Sequence, residues 1–221
     1  MEDGHLYKPE LRMELDYLRI IRNKKAYYGG TQLWLEELSL KHSAEYSRYG
    51  CGYIAALDVY LYLCGKRELD FGKYKQKLTA EMKNIHISRY FITGVHPFIS
   101  RGSFNDFFRR KFTGELSKYR GSWQCFRKNT GEKIERMLKQ GIPVIFSYYS
   151  FAKRPLKLYY SLSGSSCTEV NSHYMVITGC IGSADKKRYV ISSWGRKYYI
   201  NASDFLSRAS IFTNIFYIRQ G

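Results

Sequence analysis

Leu11, Leu15, Leu18 and Ile21 recur at helical spacing between Glu10 and Arg22 with charged residues among them, which predicts an amphipathic helix stopped by Tyr27-Tyr28-Gly29-Gly30. Between Gly50 and Gly65 the chain reads CGYIAALDVYLYLC, almost wholly apolar with one acid, Asp58. A helix apolar on every side is a buried one, so this stretch is the expected central helix. Further amphipathic helices are expected at Gly72 to Asn84, Ser103 to Phe112 and Gly131 to Gln140, each bounded by Gly, Ser or Thr.

After Gly141 the pattern changes. IPVIFSYY, HYMVITGCI, KRYVISSW, RKYYI and IFTNIFYI are short, rich in β-branched and aromatic residues, and separated by Gly, Ser, Asn and Asp. Such runs predict strands of one antiparallel sheet. The segment from Arg154 to Ser172, with KLYYSLSGSSCTEVNS, reads as a loop overhanging a site. Helices first and strands last predict an α+β fold, a helical N-terminal half packed against a C-terminal antiparallel sheet. Residues 1–29 are expected to form an appendage to one domain spanning 30–221.

A chain of 221 residues with 44% hydrophobic residues supports one substantial core. Lys and Arg number 36 against 19 Asp and Glu, and the net charge of +17 attracts nucleic acid, anionic lipid or acidic protein without choosing among them. The run Phe107-Phe108-Arg109-Arg110-Lys111 and the pair Lys153-Arg154 are candidate patches for acidic ligands. No zinc-finger spacing, Walker loop or RNP-type aromatic motif is present. The first 25 residues lack the apolar core of a signal peptide, and no run of apolar residues is long enough to span a bilayer, so a cytoplasmic protein is expected.

The five cysteines, Cys51, Cys64, Cys125, Cys167 and Cys180, include no CxxC pair, which argues against a disulfide framework or a zinc site. A thiol attacks as thiolate, and the start of a helix helps to hold that anion with its unpaired N–H groups. Cys51, directly after Gly50, is the cysteine so placed, whereas Cys64 stands at the opposite end of the same helix. The remaining cysteines read as inert. Among the histidines, His5, His42, His86 and His96 read as surface or satisfied core residues, while His173 opens a strand downstream of Cys51 and is the candidate base. Ser192, ending the next strand in Ser192-Ser193-Trp194-Gly195, is the candidate third polar group that fixes the imidazole.

The stretch GCGYIAALDVYLYL resembles the nucleophile helix of the papain-like cysteine peptidase superfamily, and most of all that of bacterial C39-like peptidases. GIPVIFSYY, NSHYMVITGC and KRYVISSWGRKYYINASDFL follow in an order similar to their later strands and closing helix, and the likeness covers roughly residues 30 to 218. The resemblance implies a papain-like fold, with Cys51 as nucleophile, His173 as general base and acid, and Trp194 shielding the histidine from water. It requires no metal or organic cofactor. The family commonly has Asn or Asp where this chain has Ser192. It commonly has an oxyanion-hole Gln where this chain has Glu45, whose carboxylate would repel an oxyanion; Gln32 in GGTQLW is the other candidate for that role. The activity implied is cleavage of peptide or isopeptide bonds in a peptide or protein substrate through an acyl-enzyme. The alternatives are a catalytically inactive papain-fold module that binds peptide or protein, and a basic nucleic-acid-binding domain.

Overall fold

The structure is a computed structural model, and the residues described are 11–38, 40, 43–82, 97–125, 128–150, 154–183, 186–208 and 213–221; of residues 11, 45 and 97–103 the backbone alone is described. His5, His42, His86, His96 and Lys153, and the side chain of Glu45, lie outside what is described, so the expectations for them stand untouched by the structure.

The chain combines helices with a large, mainly antiparallel sheet. The strands after Gly141 form where the alternation of β-branched and aromatic residues places them: β6 (Val144–Tyr149), β9 (Ser172–Gly182), β10 (Arg188–Ser193), β11 (Arg196–Asn201) and β12 (Asn214–Gln220). The sheet runs β5-β12-β6-β9-β10-β11-β7-β8, with β5 at Tyr119–Cys125, β7 at Leu156–Tyr159 and β8 at Cys167–Val170, while β1 (Leu11–Glu14) pairs with the far end of β9. Ser147 on β6 lies opposite Tyr174 on β9, so Tyr174 and Phe146 project from opposite faces. Tyr174 stacks on Phe104 of α4 (Pro97–Lys111) at 5.4 Å between ring centroids. Phe146 and Tyr189 meet Phe205 of α6 (Ala202–Arg208) on the other side. Helices therefore cover both faces of the sheet.

The central apolar stretch is α2 (Cys51–Leu63), buried along nearly its whole length, and it lies against β9 and β6. It follows α1 (Ser43–Tyr49) with Gly50 as its N-cap. The expected amphipathic helices are α3 (Phe71–Met82), α4 and α5 (Thr130–Lys139). Within α4, Phe107 and Phe108 are buried, Arg109 pairs with Asp106 and Lys111 with Glu81, so much of that basic run is internally neutralised.

Two expectations are corrected. The helix expected between Glu10 and Arg22 is instead β1, β2 (Arg19–Arg22) and the start of a hairpin to β3 (Lys25–Tyr28). Its helical spacing is overridden by pairing with distant strands, β1 with β9 and β2 in parallel with β4 (Glu68–Asp70), partners that no local pattern reveals. The hairpin turns through Asn23 and Lys24, both in the left-handed region at φ 50° and 61°, the arrangement of a type I′ turn. The loop expected from Arg154 to Ser172 contains the hairpin β7–β8, and its Ser- and Gly-rich stretch is only the turn, closed by Tyr160 N–H to the Ser166 carbonyl.

Lys24 holds a left-handed conformation that glycine adopts without steric cost. Lys24→Gly is expected to raise stability by roughly 0.5–1 kcal/mol, read as a higher urea midpoint with an unchanged denaturant slope.

Candidate active site

Cys51 opens α2 and is half-buried; His173 is the second residue of β9 and is buried. The two line the same small cavity of about 20 Å³, enough for about one water, together with Gly30, Gln32, Tyr174, Ser193 and Trp194. Backbone N–H groups of Tyr174, the residue after His173, and of Gly52 and Cys51 at the helix tip favour the anionic form of the sulfur. Tyr174 thus brings the strand's backbone to the helix tip.

His173 Nε2 lies 2.8 Å from Ser193 Oγ. Ser192 is turned away and donates its hydroxyl to the Tyr28 carbonyl at 2.9 Å. Successive strand residues face opposite sides, so only one of the two serines can meet the ring, and Ser193 takes the place expected of Ser192. The phase of a strand end is not legible in the sequence. Trp194 stacks on the imidazole, with ring centroids 4.4 Å apart and planes inclined by 24°. It occupies the first position of a two-residue turn between β10 and β11, with φ 49° at Trp194 and 71° at Gly195. A bulky residue at positive φ is strained by about 1–3 kcal/mol, and the stacking on His173 and the edge contact with Tyr198 hold the indole there.

Of the two oxyanion candidates, Gln32 reaches the cavity. It begins a 3-10 segment, Gln32–Leu38, and donates from Nε2 to the Arg48 carbonyl at 3.3 Å, while its Oε1 is buried and has no hydrogen-bond partner among the described residues. Glu45 lies in α1, within a helix that ends before the nucleophile turn.

The loop before Gln32 is fixed by a group that the motif reading passed over. Asp58, two turns along α2 from Cys51 and fully buried, accepts the Gly30 N–H at 2.7 Å and the Tyr74 hydroxyl at 2.7 Å. Gly29 has φ 74°, and a Cβ there would lie 2.5 Å from Ser192 Oγ and 2.6 Å from Asp58 Oδ2, so only glycine passes through this gap. The Gly30 carbonyl in turn accepts the Gly195 N–H at 2.9 Å, which ties the loop to the turn that carries Trp194. Asp58 announces itself in the sequence as the single charge of an otherwise apolar helix.

Burial sets the protonation states. It raises the Cys51 thiol, against which the three N–H groups work, and it lowers His173 to about 3. At neutral pH both are therefore uncharged, a thiol and an imidazole. Burial also raises Asp58 to about 7, opposed by its bonds from Gly30 and Tyr74. Among the described residues no three of His, Cys, Asp and Glu are grouped to hold a metal, and no helix is long and apolar enough to cross a membrane. Scanned against protein-family models the chain matches none, and it has no significant match among curated proteins or solved structures.

Unfolded His173 takes a proton below about pH 6.5, whereas the folded ring resists to about 3, so its contribution to stability is whole above 6.5 and fades as pH falls. Asp58 acts in the opposite sense: its contribution is whole below about pH 3.9 and fades as pH rises through about 7. Asp58→Asn keeps an acceptor for Gly30 N–H and a group that can bond the Tyr74 hydroxyl. It is expected to fold, and to gain on the wild type between pH 5 and pH 8 by on the order of 2–4 kcal/mol, measured by urea denaturation at both values. Asp58→Ala, which strands both partners, should be less stable than Asp58→Asn at pH 5.

Proposed function

We propose that the protein is a thiol hydrolase of the papain-like type, similar to bacterial C39-like peptidases, which cleaves peptide or isopeptide bonds at Cys51. The observation that carries this reading is the shared cavity: Cys51 at a helix tip and His173 at a strand start line it together, and the ring is held by Ser193 and Trp194.

With Nε2–H donating to Ser193 Oγ, the lone pair of Nδ1 is left for the thiol proton. As sulfur bonds to the substrate carbonyl carbon, that proton passes to Nδ1 and the carbonyl electron pair moves onto oxygen. The Cys51 N–H is one donor for this oxyanion, and Gln32 becomes the other when its amide turns to aim Nε2–H, in place of the buried Oε1, at the cavity. Collapse expels the amine, which leaves with the proton from Nδ1; water then attacks the thioester and gives its proton to Nδ1, and a second collapse breaks the C–S bond, releases the acid and returns that proton to the sulfur. A serine hydroxyl orients the ring less firmly than an amide or carboxylate, and the stacked indole supplies part of that restraint. Because the resting pair is neutral, proton transfer accompanies attack, after substrate has displaced the contents of the cavity.

The neutral pair also favours a second reading, a papain-fold module that binds peptide without cleaving it. A peptidyl acyloxymethyl ketone separates the two, because it needs a carbonyl attack assisted by the histidine. On the hydrolase reading, intact-mass analysis finds one adduct on Cys51, absent in Cys51→Ala, lost in His173→Gln, and formed about tenfold or more slowly in Ser193→Ala, with a smaller effect of Ser192→Ala. An adduct that forms equally fast in His173→Gln would rule out the hydrolase and leave the binding module.

A further inference from the structure

Trp194 also borders a second and larger cavity, a groove of about 850 Å³. The indole lines both cavities, so a chain lying in the groove would pass next to the shield of His173. Tyr27, Trp34 and Tyr198 line it with the indole. Three large apolar side chains are exposed among the described residues, Leu33, Tyr160 and Leu162, and the first two line this groove at 61% and 45% exposure. Exposed apolar surface gathered in one place marks a contact site.

Arg22, Lys25, Arg196 and Lys197 also line the groove, against a single acid, Glu37. Arg22 is held by Glu37 at 2.8 Å, and Lys197 by Glu14. Lys25 and Arg196 are exposed, and among the described residues no carboxylate pairs with either. One open strand edge also borders the groove. The outer edge of β3 is occupied at Tyr28, whose N–H donates to the Gly195 carbonyl and whose carbonyl accepts from Ser192, but β11 pairs with β7 only at Tyr199, so among the described residues Arg196 to Tyr198 have no partner strand on that side. Unpaired strand edges accept an extended chain through backbone hydrogen bonds.

We propose that this groove binds an acidic, extended segment of polypeptide bearing aromatic or large apolar side chains, and so selects the substrate presented to Cys51. The proposal rests on the reading of Cys51 and His173 as the reactive pair for its role, though not for its binding chemistry. Carboxylates of the segment pair with Lys25 and Arg196, its apolar side chains lie against Tyr160, Leu33 and the Trp194 indole, and its backbone follows β11. A polynucleotide would use the cations and the rings but gain nothing from the strand edge.

Binding is measured on full-length Cys51→Ala protein, which cannot turn over, by fluorescence anisotropy of a labelled random copolymer of Glu and Tyr, with a Lys–Tyr copolymer and single-stranded poly(U) as comparisons. The Glu–Tyr copolymer is expected to bind, more weakly as salt rises, and the Lys–Tyr copolymer is not. Adding K25E/R196E should weaken binding by about tenfold or more, and K25Q/R196Q by less. A reversal of equal charge outside the groove, K139E/K186E, should retain affinity, and thermal melts of each variant check folding. Affinity unchanged in K25E/R196E overturns the proposal, as does poly(U) that binds more tightly and displaces the copolymer. A missing ketone adduct with this binding intact would sink the hydrolase reading alone; a normal adduct without copolymer binding would sink the groove alone.

Discussion

The Gly30 N–H donated to the buried carboxyl of Asp58 is the bond around which the site is organised. One end of it belongs to the helix that begins with Cys51. The other belongs to the loop that carries Gln32 and, through the Gly30 carbonyl, grips the turn that presents Trp194. Cys51, Gln32 and Trp194 are therefore tied together through one chain of hydrogen bonds. Such a junction tolerates no side chain at Gly29, and a Cβ at Gly30 would lie 2.1 Å from the Tyr74 hydroxyl.

Burial gives this arrangement its rigidity and also quiets it. The same removal from water that locks His173 between Ser193 and Trp194 lowers its basicity to about 3, and it raises the thiol beside it. The indole that covers the ring also borders the larger groove, where two exposed cations and exposed apolar side chains meet.

Much of the scaffold was legible in the chain. The unbroken apolar run of α2 and the β-branched runs after Gly141 form as expected, because a helix apolar all round and strands of that composition leave little choice but burial. β1, β2 and β3 were not legible, since Leu11, Leu15, Leu18 and Ile21 satisfy a helical period equally well and are decided by pairing with β9 and β4. The β7–β8 hairpin was hidden by the serines of its turn.

The sequence by itself determined that a cysteine would open a buried helix and that a histidine would begin a later strand, because each depends on a local pattern of apolar residues and breakers. Tertiary structure alone decided that the strand's backbone comes to the helix tip, that Gln32 reaches the cavity, and that Ser193 faces the ring while Ser192 holds Tyr28. The reason is geometric. A strand shifted by one residue exchanges its two faces at no cost to its own composition, so only packing against the rest of the molecule fixes which side chain points into the site.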